Sequence, residues 1–258
     1  MEIYCERNEF THIKIMAESI FGENKQYGNC VLVFGYNVVD GGIDTIKELY
    51  PNKKIIVYQL EQLYGGNKWA SRSNIEFLRR ADYVWDYDHQ NIEFTRNFGI
   101  DSMFVPILYA PELTTLPILK RDEHDIDILF YGSLNEHRLS VIDSVKKLIP
   151  KANIVCTDRL WGDELDDHIQ RSKIILNIHY YPINRQEQAR LFYLMANHKC
   201  IVSEESAINY YGNGIVECKA HDIAKVCNSL LLSGDWYNYA KRSLQKLITS
   251  NTRLVKGT

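Results

Sequence analysis

Apolar and polar positions follow two rhythms along this chain. Short, nearly continuous apolar runs occur at CVLVFGYN (30–37), KKIIVYQL (53–60), YVWDY (83–87) and SMFVPI (102–107). Each has the length and β-branched content of a buried strand. The stretches between them, GIDTIKELY, NIEFLRRA and NIEFTRNFG, carry the three-to-four residue spacing of helices, as does THIKIMAESIF ahead of the first run. The alternation restarts further along, with strands predicted in IDILFYGS (126–133), ANIVCTD, KIILNIHYY (173–181), KCIVSEES and GIVECKA. Helices are predicted in NEHRLSVIDSVKKLIP, DELDDHIQRS and QEQARLFYLMANH (186–198), followed by HDIAKVCNSLLLS and WYNYAKRSLQKLITS. In the first of these, Leu139, Ile142, Val145 and Leu148 define the expected apolar face. Strands separated by single helices predict βαβ units and parallel sheets, hence an α/β fold.

Between the two series, YAPELTTLPILKRDEHD (109–125) has no periodicity and carries Pro111, Pro117 and a charged cluster. The expected division is a Rossmann-like domain over 1–110, a linker over 111–125 and a second Rossmann-like domain over 126–258 with a terminal helix. A length of 258 residues accommodates two domains of this size. Ligands of such paired domains are expected in a crevice at the C-terminal ends of the strands.

Composition narrows the partners. Thirty basic against 33 acidic residues give a net charge of −3, so no basic field draws the chain to nucleic acid. No apolar run approaches the roughly 20 residues of a membrane span. The N-terminus MEIYCERNEF lacks the basic and apolar regions of a secretory signal. The six cysteines are scattered without a CxxC pair, which predicts reduced thiols in a cytoplasmic protein and no structural zinc. Lys241, Arg242 and Lys246 in the last helix permit peripheral membrane contact. Tyrosine makes up 17 of the 30 aromatic residues. Tyr36, Tyr87, Tyr131, Tyr180, Tyr181 and Tyr193 fall at predicted strand ends or on the helix after them, where rings could line a cleft.

Candidate chemistry follows the strands. Gly132 and Ser133 lead into a helix with Asn135 as its N-cap and Arg138 in its first turn, a potential anion site or an ordinary strand–turn–helix. His179 and Tyr180 end another strand and run into a helix carrying Glu187 and Arg190, three apart on one face. This pair is either a phosphate-gripping site or a surface ion pair. In the first half, Glu61 and Asp86 follow strands and are candidate general bases; Asp88 reads equally as a helix cap. HExxH, GxSxG and Walker A sequences are absent, against metalloprotease, α/β-hydrolase and P-loop chemistry.

LFYGSLNEHR, the block KIILNIHYY…EQARLFYLMANHKCIVSE, and the upstream YQLEQL and VWDYDHQNIEFTRNFGI resemble the bacterial glycosyltransferase group 1-like family, over roughly residues 50 to 220. The resemblance implies the GT-B architecture, two facing Rossmann-like domains with a cleft between them. It implies a glycosyltransferase that moves a sugar from a UDP- or GDP-linked donor to a saccharide or other hydroxyl acceptor, without a metal or other cofactor. Gly132 and Ser133 then resemble the loop facing the donor diphosphate, and Glu187 and Arg190 the donor-binding pair. Asn135, Arg138, His179, Tyr180 and Tyr193 complete the expected donor site, with Glu61 and then Asp86 as the catalytic carboxylate. RLFYLMA is also similar to a stretch of a phage DNA glucosyltransferase, which makes a DNA-modifying enzyme of viral type one alternative. The two glutamates eight apart in many group 1 enzymes fall here on Arg185 and Tyr193. That departure leaves a non-catalytic nucleotide- or sugar-binding protein as the other alternative.

Overall fold

The structure is a computed structural model that describes residues 1–5, 11–22 and 27–256, with the side chains of 253–256 excepted. The chain forms two compact units, Met1–Glu112 with the residues from Leu254 onward, and Leu113–Arg253.

The first unit holds strands β1 (Glu2–Cys5), β2 (Cys30–Phe34), β3 (Lys54–Gln59), β4 (Tyr83–Asp86) and β5 (Ser102–Phe104). All pair in parallel, in the simple order β1-β2-β3-β4-β5. Helices α1 (Thr11–Phe21), α2 (Ile43–Leu49), α3 (Arg72–Arg80) and α4 (His89–Arg96) link them. β2 and most of β3 are fully buried, as their unbroken apolar runs require. Val31, Val33, Ile55 and Val57 pack with Ile43 and Ile46 of α2 and Ile75 and Leu78 of α3. The alternate positions Phe34, Tyr58 and Trp85 join Phe21 of α1 in an aromatic cluster with ring centroids 5.1–6.1 Å apart. β1 gave no signal in the sequence. It is a four-residue edge strand, exposed at Glu2 and half-buried elsewhere, so no apolar run marks it.

The second unit contains β6 (Ile126–Tyr131), α5 (Glu136–Leu148), β7 (Ile154–Thr157), α6 (Gly162–Arg171) and β8 (Ser172–Asn177). There follow α7 (Gln188–Ala196), β9 (Cys200–Glu204), β10 (Val216–Cys218), α8 (Ile223–Ser233) and α9 (Trp236–Lys256). This sheet is also parallel but runs in the order β10-β9-β8-β6-β7. The chain moves from β6 outward to β7, then returns past β6 to lay β8 on its other side. β6 and β8 therefore flank a reversal of strand order, the place where open α/β sheets bind ligands. The first sheet has no such reversal.

Two expectations change. The segment read as a linker is pinned to the second unit from Leu113 on. Asn197 accepts from the N–H groups of Thr115 and Leu116 at 2.9 Å and donates to the Leu113 carbonyl at 2.9 Å, while Thr114 Oγ1 donates to the Ala196 carbonyl. The apolar face of α5 is also rotated. Val141, Ile142 and Val145 are buried with Arg138, while Leu139 and Leu148 are 44% and 47% exposed. A helix that must bury an arginine turns its stripe to do so.

The terminal helix α9 buries Trp236, Ala240, Ser243 and Leu247. Lys241 and Arg242 lie over the rings of Tyr237 and Tyr239 on the same helix, 4.6 and 4.1 Å from the centroids. No described helix is long and apolar enough to cross a membrane. All six cysteines are free thiols.

Candidate functional site

The reversal between β6 and β8 gathers most of the charged residues singled out in the second unit. β6 ends at Tyr131, and Gly132 follows with φ of 123°, a conformation that suits only glycine. A methyl group there would sit 2.7 Å from Arg190 Nη2 and 3.7 Å from Arg138 Nη1. Gly132 thus clears space for two guanidiniums. Its own N–H is committed to the Thr157 carbonyl at 2.9 Å. Exposed Ser133 accepts from Arg138 Nη1 through its carbonyl at 2.7 Å.

Asn135 caps α5 as expected, accepting from Arg138 N at 2.9 Å, and its amide donates to the Tyr180 carbonyl, tying α5 to the segment after β8. Arg138 is 3% exposed. Its Nε donates to the Ile178 carbonyl at 2.9 Å, and its guanidinium lies 5.2 Å from the Tyr180 ring and 5.4 Å from the Phe130 ring. Burial and the charge of Arg190 lower its pKa to about 10, with Glu187 acting in the opposite direction. Arg190, on α7, is half-buried over the Tyr131 ring at 4.9 Å. Among the described residues its hydrogen bond is to Asn177 Oδ1 at 3.4 Å, which leaves most of its donors open.

Carboxylates balance these cations. Glu187 accepts from Asn177 Nδ2 at 2.9 Å and from His179 Nδ1 at 3.1 Å. Burial would raise its pKa, but the His179 hydrogen bond and charge, Arg190 and Asn177 together hold it below the usual range. Glu204, at the end of β9, accepts from the His179 N–H at 3.1 Å and meets His137 Nε2 at 2.9 Å. The result is a cluster of two arginines, a buried histidine and two glutamates, with Tyr180 40% exposed beside it.

Tyr193 is not placed as the donor contact that its position on the helix suggests. It is 3% exposed, and its hydroxyl donates to Asp166 at 2.7 Å and lies 3.5 Å from Thr115 Oγ1. It braces α7 against α6 and the 113–125 segment rather than offering a ligand contact. Tyr36 and Tyr87 are likewise 3% exposed core residues, so of the six tyrosines proposed as a lining only Tyr131, Tyr180 and Tyr181 are more than marginally exposed.

In the first unit, Asp86 has no exposed surface. Its carboxylate accepts from the Asp88 N–H at 2.9 Å, Asn91 Nδ2 at 3.1 Å and Gln59 Nε2 at 3.0 Å. Burial pushes its pKa well up against these three donors. A base must reach its substrate, so the expectation of Asp86 as a catalytic carboxylate gives way to one of scaffolding. Asp88 caps α4, accepting from the N–H groups of Gln90 and Asn91. Half-buried Glu61 is placed by this scaffold: its backbone carbonyl accepts from Gln59 Nε2 at 2.7 Å and Asn91 Nδ2 at 2.8 Å. Asn91 and Asn177 were not among the residues singled out in the sequence. Each is polar and wholly buried, a pairing that marks a residue kept for its hydrogen bonds. Among the described residues no group of three or more His, Cys, Asp or Glu could hold a metal ion.

No protein-family model matches this sequence, and no curated protein matches it. Solved structures do match. Anabaena HepE in complex with UDP and glucose is 8% identical, covering 89% of this chain and 77% of that one, with a TM-score of 0.59. An α-glucosyltransferase in complex with UDP and a 13-mer DNA containing an HMU base is 11% identical over 93% of this chain and 79% of that one, with a TM-score of 0.60. A UDP-forming α,α-trehalose-phosphate synthase from Burkholderia xenovorans is 9% identical, covering 98% and 78%, with a TM-score of 0.54. Identities this low carry the fold alone. With two parallel five-stranded α/β units in sequence, this chain shares the GT-B fold with these structures.

Proposed function

We propose that this protein is a glycosyltransferase that takes a sugar from a nucleotide-linked donor, UDP or GDP, to a hydroxyl acceptor. The observation that carries this reading is the pair of guanidiniums, Arg138 and Arg190, converging behind Gly132 at the strand-order reversal. A diphosphate needs cationic, bidentate donors in a partly desolvated pocket. Arg190 has open donors and supplies that contact; Arg138, tied to the Ser133 and Ile178 carbonyls, supplies fixed positive charge. As the glycosidic bond breaks, charge develops on the leaving diphosphate, and cations already in place stabilise it without reorganising. The α5 N-terminus adds a favourable dipole. In this reading the arginines do the work that a divalent cation does in other phosphate chemistry, and no cofactor is required. Glu61 is the candidate base that deprotonates an acceptor hydroxyl if the reaction inverts.

Calorimetry with UDP-, GDP- and TDP-sugars tests the donor assignment; saturable binding of one supports it, and binding of none removes it. Release of free nucleotide in the presence of saccharide or hydroxymethylated-DNA acceptors separates an enzyme from a protein that only binds. Gly132→Ala adds a further prediction. The methyl strains φ and displaces the Arg190 guanidinium, so donor affinity falls about tenfold. The strain of ~1–3 kcal/mol lowers the melting temperature by several degrees. Unchanged donor affinity in this variant removes Gly132 from the site.

A further inference from the structure

His179 is 3% exposed, and its hydrogen bonds constrain its charge. Nδ1 lies 3.1 and 3.2 Å from the two Glu187 carboxylate oxygens, and Nε2 lies 3.0 Å from the Glu205 carbonyl oxygen. A carbonyl can only accept, and so can an ionised carboxylate. With acceptors at both ring nitrogens, both must carry protons, and the ring is an imidazolium. The electrostatics agree. Burial by itself would lower the His179 pKa, but the hydrogen bond to Glu187, the Glu187 charge and the Glu205 carbonyl outweigh it and raise it.

The charged groups around the ring come from three elements. Glu187 and Arg190 belong to α7 and its N-cap, Glu204 and Glu205 to the end of β9 and the residue after it, and Arg138 and His137 to α5. Glu187 is the pivot. On one side it holds His179. On the other, its Oε1 stands 4.0 Å from Arg138 Nη2, beyond a direct hydrogen bond, and the Arg190 charge acts on it as well. Were His179 neutral, one ring nitrogen would face an acceptor without a proton, and the nearest cations for Glu187 would be the two arginines.

We propose that protonated His179 is a positioning residue that holds Glu187 back from closer pairing with Arg138 and Arg190, leaving the open donors of Arg190 and the fixed charge of Arg138 to the donor diphosphate. Loss of the His179 proton releases Glu187 to the arginines and weakens donor binding. The role for the donor rests on the nucleotide-sugar reading above; the charge state of the ring does not.

The sign follows from the raised pKa. Donor affinity is greatest below the His179 value and declines as pH rises through it. UDP-glucose is a suitable probe, because its doubly esterified diphosphate keeps a fixed charge over this range. Calorimetric titration of the intact protein with UDP-glucose from pH 6 to 9 is expected to show roughly a tenfold loss of affinity, with one proton-linked step. His179→Gln is expected to bind about tenfold more weakly at pH 6.5, with the pH dependence gone. Glu187→Gln is expected to lose the pH dependence as well. Adding Glu187→Gln to His179→Gln restores most of the lost affinity, because no carboxylate remains to be released. A merely structural role predicts the reverse, a double variant weaker than either single one. Affinity that is flat with pH in the wild type, or a double variant weaker than His179→Gln, overturns the proposal. If UDP-glucose does not bind at any pH, the donor reading fails separately, and ring ¹⁵N resonances of His179 still decide its charge: protonation of both nitrogens at pH 7 upholds it, and a neutral ring at pH 6.5 overturns it.

Discussion

Replacing Arg190 with alanine is expected to lower nucleotide-sugar affinity by roughly 10- to 100-fold while leaving the fold nearly intact. A charge-assisted hydrogen bond to a phosphate contributes about 1.5–3 kcal/mol, and each 1.4 kcal/mol is a factor of ten. Arg190 is the right probe because its described structural tie is a single long hydrogen bond to Asn177, 3.4 Å, with its guanidinium half-buried over the Tyr131 ring. Arg138 is a poorer one. Its guanidinium holds the Ser133 and Ile178 carbonyls, so its removal would unpin α5 and the segment after β8 along with any ligand. Arg190→Lys is expected to recover little, since an ammonium cannot reproduce a planar, bidentate fork. Isothermal titration of the two variants against wild type, with melting temperatures as the control for folding, checks this. Wild-type affinity in Arg190→Ala would remove the arginine from the donor site.

Asp86→Ala is expected to destabilise the first unit by about 3 kcal/mol or more. The carboxylate has no exposure and accepts three hydrogen bonds, from the Asp88 N–H, Asn91 Nδ2 and Gln59 Nε2. Removing it leaves three donors facing a cavity, and each buried unsatisfied group costs about 1–3 kcal/mol. The damage spreads because Gln59 and Asn91 also hold the Glu61 carbonyl, and Asn91 Oδ1 accepts from the Leu63 N–H at 2.8 Å. Asp86→Asn should cost distinctly less. It keeps the shape and an acceptor oxygen, and it relieves the burial of a charge that already pushes the carboxyl pKa up. Urea denaturation of both variants is the measurement. An Asp86→Ala protein of wild-type stability that had lost catalysis would return Asp86 to the role of base.

Most elements could be read from the chain because parallel strands buried on both faces must be apolar throughout. CVLVF and KIIVYQ therefore stand out against helices of amphipathic period. The exceptions have specific causes. EIYC is an edge strand with one neighbour, so it needs little burial and carries little signal. The stripe through Leu139 and Leu148 follows from spacing, but spacing says nothing about Arg138, whose burial rotates α5. Residues 113–125 lack periodicity because the contacts to Ala196 and Asn197 that hold their first residues run through backbone groups and one threonine hydroxyl.

The candidate site shows the same division. Gly132, Asn135, His179, Glu187 and Arg190 could be picked out as charged or special residues following strands, since loops at strand ends are where polar groups meet solvent. Their separate meanings could not. Gly132 looked like a phosphate loop and is a cleared space; Tyr193 looked like a ligand contact and is a brace; Asp86 looked like a base and is a scaffold.

The α/β class, the two series of strands and helices, and the positions where chemistry could sit are all legible in the chain, because periodicity and turn residues are local properties. The order of the strands emerges in the folded sheets. That order sets β8 beside β6 in the second sheet, so that Gly132, Arg138, His179, Glu187 and Arg190 meet, and it leaves the first sheet without any such reversal. Strand order is set by which apolar faces find each other over long stretches of chain, and no local pattern encodes it.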